Sequence, residues 1–115
     1  MAQYMLFIRG GSDPEASETP EEMQRIIERY RAWAGSLRSQ GKLVAADKLK
    51  DGEGRLLSVR NGEIVVDGPF AETKETIGGY FTVEAADYNE AVELARGCPV
   101  FERGGSIELR EIEAT

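Results

Sequence analysis

An α+β fold of ferredoxin-like design, an antiparallel sheet carrying two helices on one face, is what this sequence predicts, and three observations carry the expectation. Segments of strand and helix character alternate in the order strand, helix, strand, hairpin, strand, helix, strand, which is two strand–helix–strand units in tandem with a hairpin between them. Both helical segments are bracketed by capping and stop residues. The first strand and the segment Tyr80-Phe81-Thr82-Val83 are apolar on both alternating faces, whereas two helices can cover only one. The uncovered face therefore asks for a partner, and a two-fold dimer supplies it from the same chain.

The elements follow in order. Gln3–Arg9 is rich in β-formers on both faces and reads as a strand covered on both sides. Gly10 to Thr19, with Gly10-Gly11 and Asp13-Pro14, is polar, has no burying period and reads as a loop. Thr19-Pro20-Glu21-Glu22 gives a helix start with three agreeing signals: an N-cap hydroxyl, Pro at the first helical position and Glu at the third. This helix runs to about Gln40, with Met23, Ile26, Ile27, Tyr30, Ala34 and Leu37 as its apolar stripe and Gly41 as its left-handed stop. Trp33 adjoins that stripe and reads as packing.

Leu43 to Leu49 is a short strand before the turn Asp51-Gly52-Glu53-Gly54. Asn61-Gly62 then joins Arg55–Arg60 to Glu63–Asp67 as a two-residue hairpin loop, in a register that sets Val59 opposite Ile64, Leu57 opposite Val66 and Arg60 opposite Glu63. Ile77 to Glu84 is a strand. Asp87 to Arg96 is a helix with Asp87 and Glu90 as capping box, Ala91, Val92 and Ala95 buried, and Gly97 and Pro99 as stop. Ser106 to Ile112 is the last strand, with Ile107 and Leu109 on one face and Glu108 and Arg110 on the other.

Composition narrows the function classes. With 115 residues the chain is one domain, residues 1–115, and 41% hydrophobic against 30% charged residues is globular composition. The net charge of -7 disfavours direct nucleic-acid or anionic-lipid partners. No apolar run is long enough for a signal peptide or membrane span, so the expectation is a cytoplasmic protein. One cysteine, Cys98, cannot form an internal disulfide and suits a reducing compartment. The sequence has no histidine. That removes imidazole triads, Cys–His pairs and His-based metal sites, and leaves acid–base chemistry to carboxylates, Lys, Tyr or water. No metal and no cofactor are implied. The glycine pairs at 10–11, 78–79 and 104–105 make no phosphate-binding pattern and read as turn or strand-bend glycines.

The stretch Asp67-Gly68-Pro69-Phe70-Ala71-Glu72-Thr73-Lys74-Glu75, followed by Gly78-Gly79-Tyr80, resembles the signature of the DGPF group within the YCII-related family. Cys98-Pro99 and the Glu108-x-Arg110 pattern extend the resemblance over nearly the whole chain. It implies a dimeric α+β barrel. It also implies, through the wider family, a His–Asp pair as acid–base machinery and, in one branch, dehydrochlorination of substituted hydroquinones. Without histidine this chain cannot carry that pair over. The group's association with extracytoplasmic-function sigma factors suggests a regulatory role as the competing reading, and a purely structural dimer is a third.

Asp67, Glu72 and Lys74 are the candidate ligand-binding residues, with Tyr80 and Arg110 as cleft-wall groups, while no catalytic residue is assigned. Asp67-Gly68-Pro69-Phe70 is equally readable as a rigid strand exit, and the charges after it as a solvated acidic loop. The expected ligand is a small molecule held in a cleft between sheet and helices.

Overall fold

The computed structural model describes residues 1–10, 19–50, 54–68 and 77–114. The loop expected over Gly10 to Thr19 and the turn at Asp51 to Gly54 therefore fall largely outside the described residues, as do Phe70, Glu72 and Lys74. Strand β1 is Ala2–Arg9, helix α1 Pro20–Ser39, β2 Leu43–Lys48, β3 Leu56–Arg60, β4 Glu63–Asp67, β5 Ile77–Ala85, α2 Tyr88–Ala95 and β6 Ser106–Glu111, with a 3-10 helix over Pro99–Arg103 before β6.

Four strands form an antiparallel sheet in the order β2-β5-β1-β6. This is the ferredoxin-like arrangement: each strand–helix–strand unit places its second strand beyond a neighbour from the other unit. Tyr4, Leu6 and Ile8 of β1 and Val83 and Ala85 of β5 point to one side and form the core with Trp33 and Leu37 of α1 and Ala91 and Ala95 of α2. Both helices therefore lie on the same face.

Local chemistry sets the helix ends. Thr19 Oγ1 accepts from the Glu22 amide at 3.1 Å, and the Glu22 carboxylate accepts from the Thr19 amide at 3.3 Å, a reciprocal box that satisfies two orphan donors. At the other end Gly41 takes φ +70, so that its amide reaches Arg38 O and the Lys42 amide reaches Leu37 O. Those two bonds close the helix with a Schellman motif. Asp87 caps α2 by accepting from the Glu90 amide at 2.9 Å. The expected reciprocal half differs: Glu90 Oε1 accepts from the Ala86 amide at 3.0 Å, one residue earlier, and from Lys42 Nζ at 3.2 Å. The lysine draws the carboxylate away from the cap and ties α2 to the chain entering β2.

Two burial expectations are corrected. Met23 and Ile27 of the α1 stripe are 43% and 38% exposed, and the fully packed residues are Trp33 and Leu37. The eight-residue α2 spans about 12 Å against about 30 Å for α1, so it flanks only the C-terminal half of α1. There the Trp33 indole donates to Leu94 O at 2.9 Å and its ring lies 4.5 Å from that of Phe81. Val92, expected inside, is 38% exposed because it faces the sheet edge rather than the core beneath Ala91 and Ala95.

The hairpin has the expected register, with Val59 opposite Ile64, Leu57 opposite Val66 and Arg60 opposite Glu63. Asn61 and Gly62 take φ +51 and +78, the pair of positive values that a type I′ turn requires. This hairpin is a separate two-stranded sheet.

Candidate functional site

Between sheet and helices, where the sequence reading places a cleft, Leu6, Leu37, Val83 and Val100 are fully buried. At its edge lies a hollow of about 170 Å³ lined by Val92, Ala95, Arg96, Phe101, Ile107 and Leu109. That is below the ~300 Å³ at which ligand pockets begin. The small side chains Ala91 and Ala95 seat α2 close against the sheet.

Chemistry gathers on the opposite, open face. Because successive strand residues alternate sides, Met5, Phe7 and Arg9 of β1 share this face with Tyr80, Thr82 and Glu84 of β5. Glu108 and Arg110 of β6 join them opposite Phe7 and Met5. On β2 a register shift between Leu43 and Ala45 sends Leu43 to the core and turns Ala45 and Asp47 outward. Two rows thus cross all four strands: Asp47, Tyr80, Phe7, Glu108, and beside it Ala45, Thr82, Met5, Arg110.

Polar contacts organise both ends of these rows. Tyr80 Oη donates to Asp47 Oδ2 at 2.6 Å. This charge-assisted bond holds the Tyr80 phenol above its ordinary pKa, with the nearby negative charge and partial burial adding to the effect. The phenol is thus a proton-bearing donor at neutral pH, and the carboxylate beside it an acceptor. At the other end Glu108 receives Arg9 Nη2 at 3.2 Å and Arg110 Nη1 at 4.0 Å. Arg110, with its side chain 72% exposed, is held loosely enough to turn toward an anionic ligand group. Met5 and Phe7 are half-buried between the two ends.

Of the residues singled out from sequence, Tyr80 and Arg110 come together on this face, two strands and one row apart. Asp67 does not join them: it ends β4 in the separate hairpin and pairs with Arg60 at 3.7 Å. Glu72 and Lys74 lie outside the described residues. Sequence reasoning missed Asp47, Phe7 and Met5. Alternation along β1 was signal enough for Phe7 and Met5, but Asp47 depends on the β2 irregularity and on a cross-strand register that no local pattern reveals.

Cys98, 3% exposed, is part of the core, and burial pushes its thiol pKa up. Among the described residues no three carboxylate or thiol groups converge as a metal-holding cluster, and no helix is long and apolar enough to cross a membrane.

The chain is 37% identical over 85 residues to the uncharacterized protein R00369 of Rhizobium meliloti (strain 1021). The match takes in 66% of the chain and 63% of that protein, so it spans a little under two thirds of the relative's length. A solved structure, the 5-chloro-2-hydroxyhydroquinone dehydrochlorinase of Burkholderia phenoliruptrix AC1100 in complex with 2,5-dihydroxybenzoquinone, is similar over 98% of this chain and 95% of its own, at 15% identity and a TM-score of 0.47. The family model of the YCII-related domain matches residues 3–114, and the chain belongs to the YCII-related domain family.

Proposed function

We propose that this chain is a small-molecule binding or enzymatic domain that works as a homodimer and takes its ligand on the open face of the sheet, not between sheet and helices. The observation that carries the reading is the Tyr80–Asp47 pair, a short phenol–carboxylate hydrogen bond set one strand away from Phe7 on the face opposite α1 and α2. Such a face combines an apolar floor with few, directed polar groups, the usual composition of a binding site. Its ligand class is a small ring-bearing or apolar molecule with a hydroxyl or carbonyl that meets Tyr80 and Asp47 and an acidic group that meets Arg110.

If chemistry occurs, it is proton transfer: Tyr80 gives a proton to a developing oxyanion and Asp47 accepts one, roles that need no histidine. A second copy facing this surface removes Met5 and Phe7 from water and strengthens every polar contact there by lowering the local dielectric. Asp67, Glu72 and Lys74 stay ligand-binding candidates in the same proposal.

A thermal-shift screen of phenolic and carboxylic small molecules, followed by calorimetry of any hit, tests the reading. The Tyr80→Phe and Arg110→Ala variants should keep the parent melting temperature to within a few degrees, yet bind the hit at least about tenfold more weakly, a loss of ~1.4 kcal/mol. Lys74→Ala and Glu72→Ala report in the same way on the charged stretch after the hairpin. Unchanged affinity in both sheet-face variants would place the ligand elsewhere.

A further inference from the structure

The hairpin β3–β4 presents an unusual surface. Leu57 and Val59 of β3 lie directly opposite Val66 and Ile64 of β4, so all four share one face, and they are 61%, 68%, 59% and 71% exposed. Among the described residues no other strand or helix packs extensively on this two-stranded sheet. An isolated hairpin is marginal in water and needs a third strand or a packing partner. A hairpin strand exposed to solvent on one side normally alternates apolar and polar, so this aliphatic face is built to be covered.

The chain is extended for its length. The radius of gyration is 16.0 Å, where a compact domain of this length has about 13 Å. The extents are 48 × 44 × 18 Å, a slab one sheet and one helix layer thick.

We infer that this hairpin is a dimerisation arm whose aliphatic face lies across the open sheet face of a second copy of the chain, over Met5 and Phe7, so that each ligand site is roofed by its partner's Leu57, Val59, Ile64 and Val66. The inference rests on the proposal that a second copy covers the open face, and it names the part that does so. Two unpartnered surfaces on one chain, an aliphatic arm and a half-apolar sheet face, satisfy each other twice in a two-fold pair. Four aliphatic side chains at these exposures carry roughly 200–300 Å² of apolar surface. Counting both arms and both receiving faces gives on the order of 1,000 Å², the size at which specific interfaces begin. An arm meeting only its counterpart arm would bury about half of that and fall short.

Directed cross-linking tests the contact, because the native Cys98 is buried and stays silent. Val59→Cys and Met5→Cys proteins are mixed and oxidised, and each is also oxidised alone. A covalent dimer that forms from the mixture and from neither protein alone is the expected result. A dimer from Val59→Cys alone would mean that arm meets arm and would overturn the inference.

Sedimentation of the Val59→Asp/Ile64→Asp double variant supplies the second measurement. Both sites are exposed, so the chain stays folded by circular dichroism, and it should run at the monomer mass where the parent runs at twice that mass. A variant that remains dimeric sinks the arm but leaves the open-face site standing. A parent that is itself monomeric sinks the arm and the homodimer together, while the affinity losses of Tyr80→Phe and Arg110→Ala still judge the site.

Discussion

Trp33 is the side chain whose removal the structure prices most clearly. It is 7% exposed, touches Phe81, and its indole N–H supplies a partner to Leu94 O, one of the last four carbonyls of α2 that the helix itself cannot satisfy. A buried aromatic of this kind removes about 150–250 Å² from water, worth ~4–6 kcal/mol at 25 cal/mol/Å². Measured truncations of buried Phe and Trp to Ala cost about 3–5 kcal/mol, and we expect Trp33→Ala to fall in that range. That is much of the stability of a domain this size, so Trp33→Phe is the informative companion. It keeps most of the ring, leaves Leu94 O without its donor, and should cost about 1–3 kcal/mol. Urea unfolding followed by far-ultraviolet circular dichroism is the assay, since Trp33 is the chain's single tryptophan and fluorescence would vanish with it. A loss below about 1 kcal/mol for Trp33→Ala would refute the packing argument and reopen a role in ligand stacking.

Two further expectations concern the sheet and its pH response. A Cβ at Gly79 would sit 2.9 Å from the backbone oxygen of Asp47, so Gly79→Ala should push β2 off β5, cost about 1–3 kcal/mol and loosen the Tyr80–Asp47 bond. Gly78→Ala, whose nearest neighbour would be 3.9 Å away, is the control and should be nearly silent in the same denaturation experiment; equal losses at both positions would contradict the contact geometry. The Glu90 carboxyl is held below its ordinary pKa, first by the Ala86 amide and then by Lys42. A depressed carboxylate contributes stability above the ordinary glutamate value of about 4.3 and loses it as pH falls through the lowered one. The stability gap between the parent and Glu90→Gln should therefore close between about pH 6 and pH 3, and a gap that stays constant over that interval would disprove the linkage.

What the sequence determined by itself is what short-range chemistry controls. Thr19, Pro20 and Glu22 specify the start of α1 because an N-cap box is satisfied within four residues. Gly41 specifies its end because only a residue without Cβ adopts φ +70 freely. Asn61-Gly62 fixes the hairpin register, since a two-residue I′ loop admits a single pairing. Alternation placed Glu108 and Arg110 on one face of the last strand, and strands apolar on both sides pointed to a second face opposite the two helices. The family resemblance named the domain, while the loop at 67–75 drew attention to charges that lie apart from the Tyr80 row or outside the described residues.

The tertiary structure alone decided which groups meet. Asp47 reaches Tyr80 only because β2 shifts register between Leu43 and Ala45, and a slip of one residue would turn the carboxylate into the core side. The N-terminal half of the α1 stripe stays partly wet and Trp33 becomes the keystone because α2 is too short to flank more than the C-terminal half of its neighbour. Capping and turns are settled by bonds among neighbouring residues, whereas register and burial are settled by how distant segments fit. Here that fit, not the sequence spacing, assembles the candidate site.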